Sequence, residues 1–125
     1  MKRVVLIFLV IFFTNFISFV CAQENDLLGL NTIVIDAGHG GKDPGNLGTG
    51  RYKTTEKDVT LAIALKLGDL IKKKYPDLNV IYTREKDEFV KLSSRAKLAN
   101  LNNADLFISI HCDAFSNESV HGSST

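Results

Sequence analysis

Three short apolar runs and two segments of helical periodicity organise this chain. Residues 32–36, 78–83 and 106–110 are β-branched or aromatic-rich and nearly continuous in their apolar character. In the first run, 32–36, that is the pattern of a strand covered on both faces rather than one. Between the first two runs, Val59, Ile63, Leu67, Leu70 and Ile71 recur at helical spacing and predict a helix from Thr55 to about Lys74 with one apolar stripe. Thr55 and Asp58 have capping-box spacing, Lys72–Lys74 suit the negative end of the helix dipole, and Pro76 prevents continuation. A second helix is expected to begin at a Ser93 or Ser94 cap, bury Ala96, Ala99 and nearby leucines, and end at Asn102-Asn103.

Strand, helix, strand, helix, strand predicts an α/β layer fold: a largely parallel sheet with helices on both faces, a three-layer sandwich. In such sheets, sites lie beyond the carboxyl ends of the strands. Residues 37–55, rich in glycine, form a long loop at one such end, and loops of that length inside a compact domain are usually functional.

Composition changes this picture mainly at the N-terminus. Lys2-Arg3 followed by an apolar run to Val20, with Val20-Cys21-Ala22 before Gln23, reads as an export signal over residues 1–22, and residues 23–31 as a tether. An uncleaved anchor is the competing reading, since the run is close to the ~20 residues a bilayer needs. About a hundred residues then remain, one small domain. The formal charge of +1 becomes about −1 once Lys2 and Arg3 are removed, which gives no electrostatic case for nucleic acid. With Cys21 removed in the signal, no disulfide framework is expected within the chain, and Cys112 reads as a small buried residue.

Candidate chemistry gathers on one rim. His39 lies in the glycine-rich bend after the first strand, His111 ends the third strand, and Glu56 heads the first helix. Two imidazoles and a carboxylate are the ligand set of an open zinc site, with room for a water in the fourth position. Taken singly, each residue has a plainer reading: Glu56 as a first-turn acid favoured by the dipole, the histidines as hydrogen-bonded loop and strand-end residues. Asp36 is a candidate either to bond the ring of a ligating histidine or to cap the amides of the loop. His121, in the polar tail, is taken as a surface residue. A phosphate cradle is excluded, because Gly38-His-Gly-Gly41 is not a dinucleotide fingerprint, no Gly-Lys-Ser/Thr follows, and the helix starts far beyond the glycines.

Ile35-Asp-Ala-Gly-His-Gly-Gly41, Asp43-Pro-Gly45, Glu56-Lys57, Thr83-Arg84, Asp87, Leu92, Arg95, Ala99-Asn100 and Ala104-Asp-Leu-Phe-Ile-Ser-Ile-His111 together resemble the zinc-dependent N-acetylmuramoyl-L-alanine amidases of the amidase-3 type. The resemblance covers residues 32–125 as the N-terminal portion of such a catalytic domain. It implies an exported, periplasmic or extracellular bacterial hydrolase that cuts peptidoglycan between N-acetylmuramic acid and L-alanine. It implies one Zn2+ per chain on His39, Glu56 and His111, a monomer, and peptidoglycan as partner, with an activator protein as a further one. Asp113 stands where the family more often has Asn, and Thr60 where Asn is frequent.

The family also carries a general acid/base glutamate near its C-terminus. Glu118, in a polar Asn-Glu-Ser context, does not match it, so no catalytic residue is identified up to Thr125 and the catalytic domain is expected to be incomplete here. Two alternatives remain: a short, non-catalytic peptidoglycan-binding or regulatory protein that keeps the metal site, and a zinc peptidase acting within the stem peptide.

Overall fold

A computed structural model describes residues 29–48, 53–112 and 122. The expected signal at 1–22, most of the tether, and the readings of Asp113, Glu118 and His121 lie outside these residues. The elements that follow all belong to the unit Asn31–Thr125. In chain order they are β1 (Thr32–Ala37), α1 (Glu56–Lys74), β2 (Asn79–Tyr82), α2 (Leu92–Leu101) and β3 (Leu106–Ile110).

The three strands form one parallel sheet in the order β2-β1-β3. The central place of β1 explains its unbroken apolar run, since Ile33, Val34, Ile35 and Ala37 are all buried. The chain leaves β1 for one neighbour and returns across it to the other. With right-handed crossovers, that reversal puts α1 and α2 on opposite faces, as the α/β reading requires. Asp105, just before β3, ties the strand starts together: its carboxylate accepts the amides of Asn31 and Thr32 at 2.7 and 2.9 Å.

The helices pack differently from the sequence expectation. The buried residues of α1 are Glu56, Thr60, Ala64 and Gly68, a ridge of mostly small side chains, whereas Ile63 and Leu70 of the expected apolar stripe are about half exposed. Small residues let the helix lie close to the sheet, and a Cβ at Gly68 would overlap the hydroxyl of Tyr82 on β2. The capping box is also absent. Thr55 occupies the N-cap position, but its hydroxyl donates to the Asp58 carboxylate at 2.6 Å instead of serving the helix amides. In α2 the N-cap is Lys91, not a serine; Ala96 is exposed, and the buried side chain is Arg95. An arginine rather than an apolar face thus anchors this helix.

Candidate metal centre

The loop after β1 is folded by its own backbone before any side chain is considered. Gly40 and Asp43 exchange two amide–carbonyl bonds (2.9 and 3.1 Å), and the start of α1 is stitched to the same loop through Glu56 N to Asn46 O (2.8 Å) and Lys57 N to Pro44 O (3.2 Å). Asp87 adds a clamp, accepting the Gly41 amide and the Lys57 ammonium at 2.7 Å each. Arg84 is fully buried and donates to the carbonyls of Ala37, Gly38, Lys57 and Lys86. Burial lowers its pKa, and the neighbouring Arg95 lowers it further. A guanidinium has five donors and no acceptor, so this nest of carbonyls suits it.

Within this frame His39, Glu56 and His111 converge, as the sequence reading expects. Their ligand atoms all lie within 4.8 Å of one another. His39 Nε2 is 3.0 Å from Glu56 Oε1, His111 Nδ1 is 3.2 Å from the same oxygen, and the two ring nitrogens are 3.2 Å apart. The rings meet nearly edge to face, with centroids 4.8 Å apart. Two glycines make room for them. A Cβ on Gly38 would sit 2.5 Å from the His111 ring, and one on Gly45 would sit 2.6 Å from Glu56 Oε2 and 2.7 Å from the His39 ring. Gly45 also has φ +64°, a conformation that L side chains rarely adopt.

The donor set can be tested for fit to a cation. His39 Nδ1 lies 3.0 Å from Asp43 Oδ2. An ionised carboxylate only accepts, so Nδ1 carries the ring proton and Nε2 presents a lone pair. That lone pair faces Glu56 Oε1, another acceptor. Two acceptors at 3.0 Å need something positive between them, either a proton or a metal ion. Ligands of a tetrahedral zinc, each ~2.0–2.1 Å from the ion, lie about 3.3 Å apart, close to the 3.0–3.2 Å seen here. The residues fit a metal.

Glu56 is held as an anion. Burial pushes its pKa up, but the amides of Cys112 and Asn46, each donating at 2.8 Å, together with His39 and His111, more than reverse this and bring it below the usual glutamate range. Asp43 is held low by the His39 ring and then by the Gly45 amide.

Asp36 takes neither of the roles open to it in the sequence. Its carboxylate accepts the hydroxyls of Thr83 and Ser109 at 2.7 Å each and pairs with Arg95 at 2.6 Å. The carboxylate on a histidine ring is Asp43, four residues beyond His39 within the loop, where no helical or strand period could have singled it out. Arg84 and Arg95 belong to the residues that carry the resemblance, but their partners were hidden, because nothing in a sequence reveals which carbonyls a long cation reaches.

The sequence profile of the family described as N-acetylmuramoyl-L-alanine amidase, Amidase_3, matches residues 33–125. The chain belongs to this amidase family. Over 92 residues it is 48% identical to AmiC of an Escherichia coli O6:H1 strain, covering 74% of this chain and 21% of that one. It is 40% identical over 96 residues to AmiA of Escherichia coli K12, covering 77% and 32%. Among solved structures, the catalytic domain of the amidase CwlV from Bacillus (Paenibacillus) polymyxa var. colistinus is 41% identical with a TM-score of 0.67, over 73% of this chain and 50% of that domain. CwlD from Clostridioides difficile, solved in complex with the GerS lipoprotein, is 38% identical with a TM-score of 0.65, over 72% and 52%. The chain therefore spans about half of these amidase structures and a fifth to a third of the two curated relatives. The α/β fold read from the sequence is the fold of these amidases.

Proposed function

We propose that this amidase-family chain carries the zinc site of an exported enzyme that hydrolyses the amide between N-acetylmuramic acid and L-alanine in peptidoglycan. The observation that carries the reading is His39 Nε2 facing Glu56 Oε1, with the ring's other nitrogen committed to Asp43. His39, Glu56 and His111 would hold the ion. Bound there, zinc supplies a water of lowered pKa and polarises the scissile carbonyl.

The protein's own part is to keep the donors ready. Asp43 holds the proton on Nδ1 of His39, and the Asn46 and Cys112 amides hold both oxygens of Glu56. His111 is partly exposed, so the rim that would meet the substrate is open to solvent. Residues 1–22 act as the export signal in this reading, and the chain works as a monomer. A protein activator belongs to it too, by analogy with the CwlD–GerS complex.

The test uses the full-length protein on purified peptidoglycan. Release of stem peptides with free L-alanine N-termini is expected, abolished by a chelator and restored by zinc. His39→Ala and His111→Ala should each lose at least a hundredfold in activity and lose zinc on dialysis while staying folded. Cleavage within the peptide would instead identify a peptidase, and full activity in both variants would remove the site. N-terminal sequencing of the exported protein should begin at Gln23.

A further inference from the structure

The backbone of His39 is unusual, and one side chain bonds its carbonyl directly. His39 has φ +61°, in the left-handed region that is uncommon for any residue with a side chain. Such a conformation persists only where its surroundings enforce it. The ladder between β1 and β3 stops short of it, with Ala37 opposite Ile110 and the Gly38 amide bonded to Ile110 O at 3.0 Å. Beyond that point the sheet gives His39 no support. Its carbonyl is taken by Arg95 Nη2 at 2.7 Å.

The rest of the Arg95 fork is committed as well. Nη1 donates to Asp36 Oδ1 at 2.6 Å and to Ala37 O at 2.7 Å, and Nε donates to Val90 O at 3.1 Å. Both members of the Asp36–Arg95 pair are buried. Asp36 Oδ1 also accepts the hydroxyl of Thr83, just after β2, and Oδ2 accepts that of Ser109, two residues before His111. One carboxylate thus joins the ends of all three strands, and one guanidinium carries that junction to the carbonyl of His39. A planar fork can bond His39, Ala37 and Asp36 together, whereas a lysine ammonium in the same place cannot span them.

We infer that Arg95, oriented by Asp36, is a positioning residue for the metal centre: it fixes the left-handed turn at His39 so that the Nε2 lone pair is aimed at Glu56 and His111 before any ion arrives. The inference rests on the zinc-site reading and extends it to two residues that touch no ligand side chain. Arg84 provides the contrast. It is buried just as deeply and bonds four carbonyls to the three of Arg95, but none belongs to His39, Glu56 or His111. If the two arginines only hold the fold, replacing either should have the same consequence.

The experiment measures zinc affinity by chelator competition, and the visible spectrum of the cobalt-substituted protein. Both are recorded on full-length protein at a temperature where circular dichroism shows each variant folded. Arg95→Lys should bind zinc about 10- to 100-fold more weakly, the loss usual for partners that orient a ligand, with altered cobalt bands. Arg84→Lys should lower the melting temperature but keep zinc affinity within about threefold of wild type. Asp36→Asn should weaken zinc binding too, and the double variant with Arg95→Lys should be no weaker than Arg95→Lys alone, because the two act in series.

Wild-type affinity and spectrum in Arg95→Lys, or an equal loss in Arg84→Lys, would overturn the inference while leaving the zinc site standing. Should Arg95→Lys not fold, unchanged affinity in Asp36→Asn would overturn it. Failure of both to fold would also overturn it, since the pair would then hold the sheet rather than the ligand. Absence of zinc binding in the wild type would instead bring down the site itself.

Discussion

His39 shows how much one residue's role depends on neighbours that its own position does not announce. Its ring is oriented by Asp43 and given room by Gly45, and both can be altered without touching a ligand. Asp43→Asn offers an amide that can present a donor to Nδ1 and so favour the wrong tautomer. Zinc affinity should fall about 10- to 100-fold, with little change in melting temperature because Asp43 is nearly half exposed. Competition against a chelator of known strength would check both halves of that expectation. Gly45→Ala meets two obstacles, a positive φ and a Cβ within 2.7 Å of Glu56 and His39. It should cost about 1 kcal/mol or more in stability and displace Glu56, so zinc binding and thermal stability should fall together. The histidines and Glu56 were legible in the sequence because each stands where a regular element begins or ends. Asp43 and Arg95 were visible only as motif residues without a role, because their meaning lies in three-dimensional reach.

Among the elements, β1 was read correctly, whereas for α1 the bounds were right and the buried face was not, for related reasons. A strand covered on both faces must be apolar throughout, so its sequence is unambiguous. A helix lying close to a sheet turns small residues inward, and a search for large apolar ones finds the wrong stripe. Thr60 illustrates the difference: buried on α1, it donates to Gly38 O at 2.8 Å and so links the helix to the metal loop. Gly68→Ala should therefore destabilise by about 1–3 kcal/mol through overpacking against Tyr82, whereas Ile63→Ala should change little; urea melts of the two variants decide between the readings.

The strand ends also carry an acid sensitivity. Burial alone would raise the Asp36 pKa, but the hydroxyls of Ser109 and Thr83 and the charge of Arg95 bring it below the ordinary aspartate range. The folded protein then binds fewer protons than the unfolded chain. This stability is complete above the ordinary carboxylate range and drains away as pH falls through the lower folded value. Asp36→Asn should be less stable at neutral pH and flatter on the acid side; equal acid slopes for the two proteins would contradict this.

At the scale of the whole molecule, apolar surface is left on three elements by the way the described residues pack, α2 exposing its first and last residues, Leu92 and Leu101. On α1, Ile63 and Leu70 are 47% and 56% exposed, and on β3, Leu106 and Phe107 are 40% and 41% exposed on opposite faces of the sheet. The sheet has β1 at its centre, so β3 is an edge among the described residues. An exposed apolar edge strand is a template for association, and soluble monomers seldom leave large contiguous apolar patches bare. Residues 29–125 produced alone should therefore self-associate at micromolar concentration. The double substitution Phe107→Lys and Leu70→Glu, which touches no ligand, should shift the material toward monomer. Light scattering across a dilution series separates the outcomes. A monomer without the substitutions would mean that this surface is tolerated in water as it stands. Association reversed by them would mean that the sheet edge and the outer face of α1 are built to be covered.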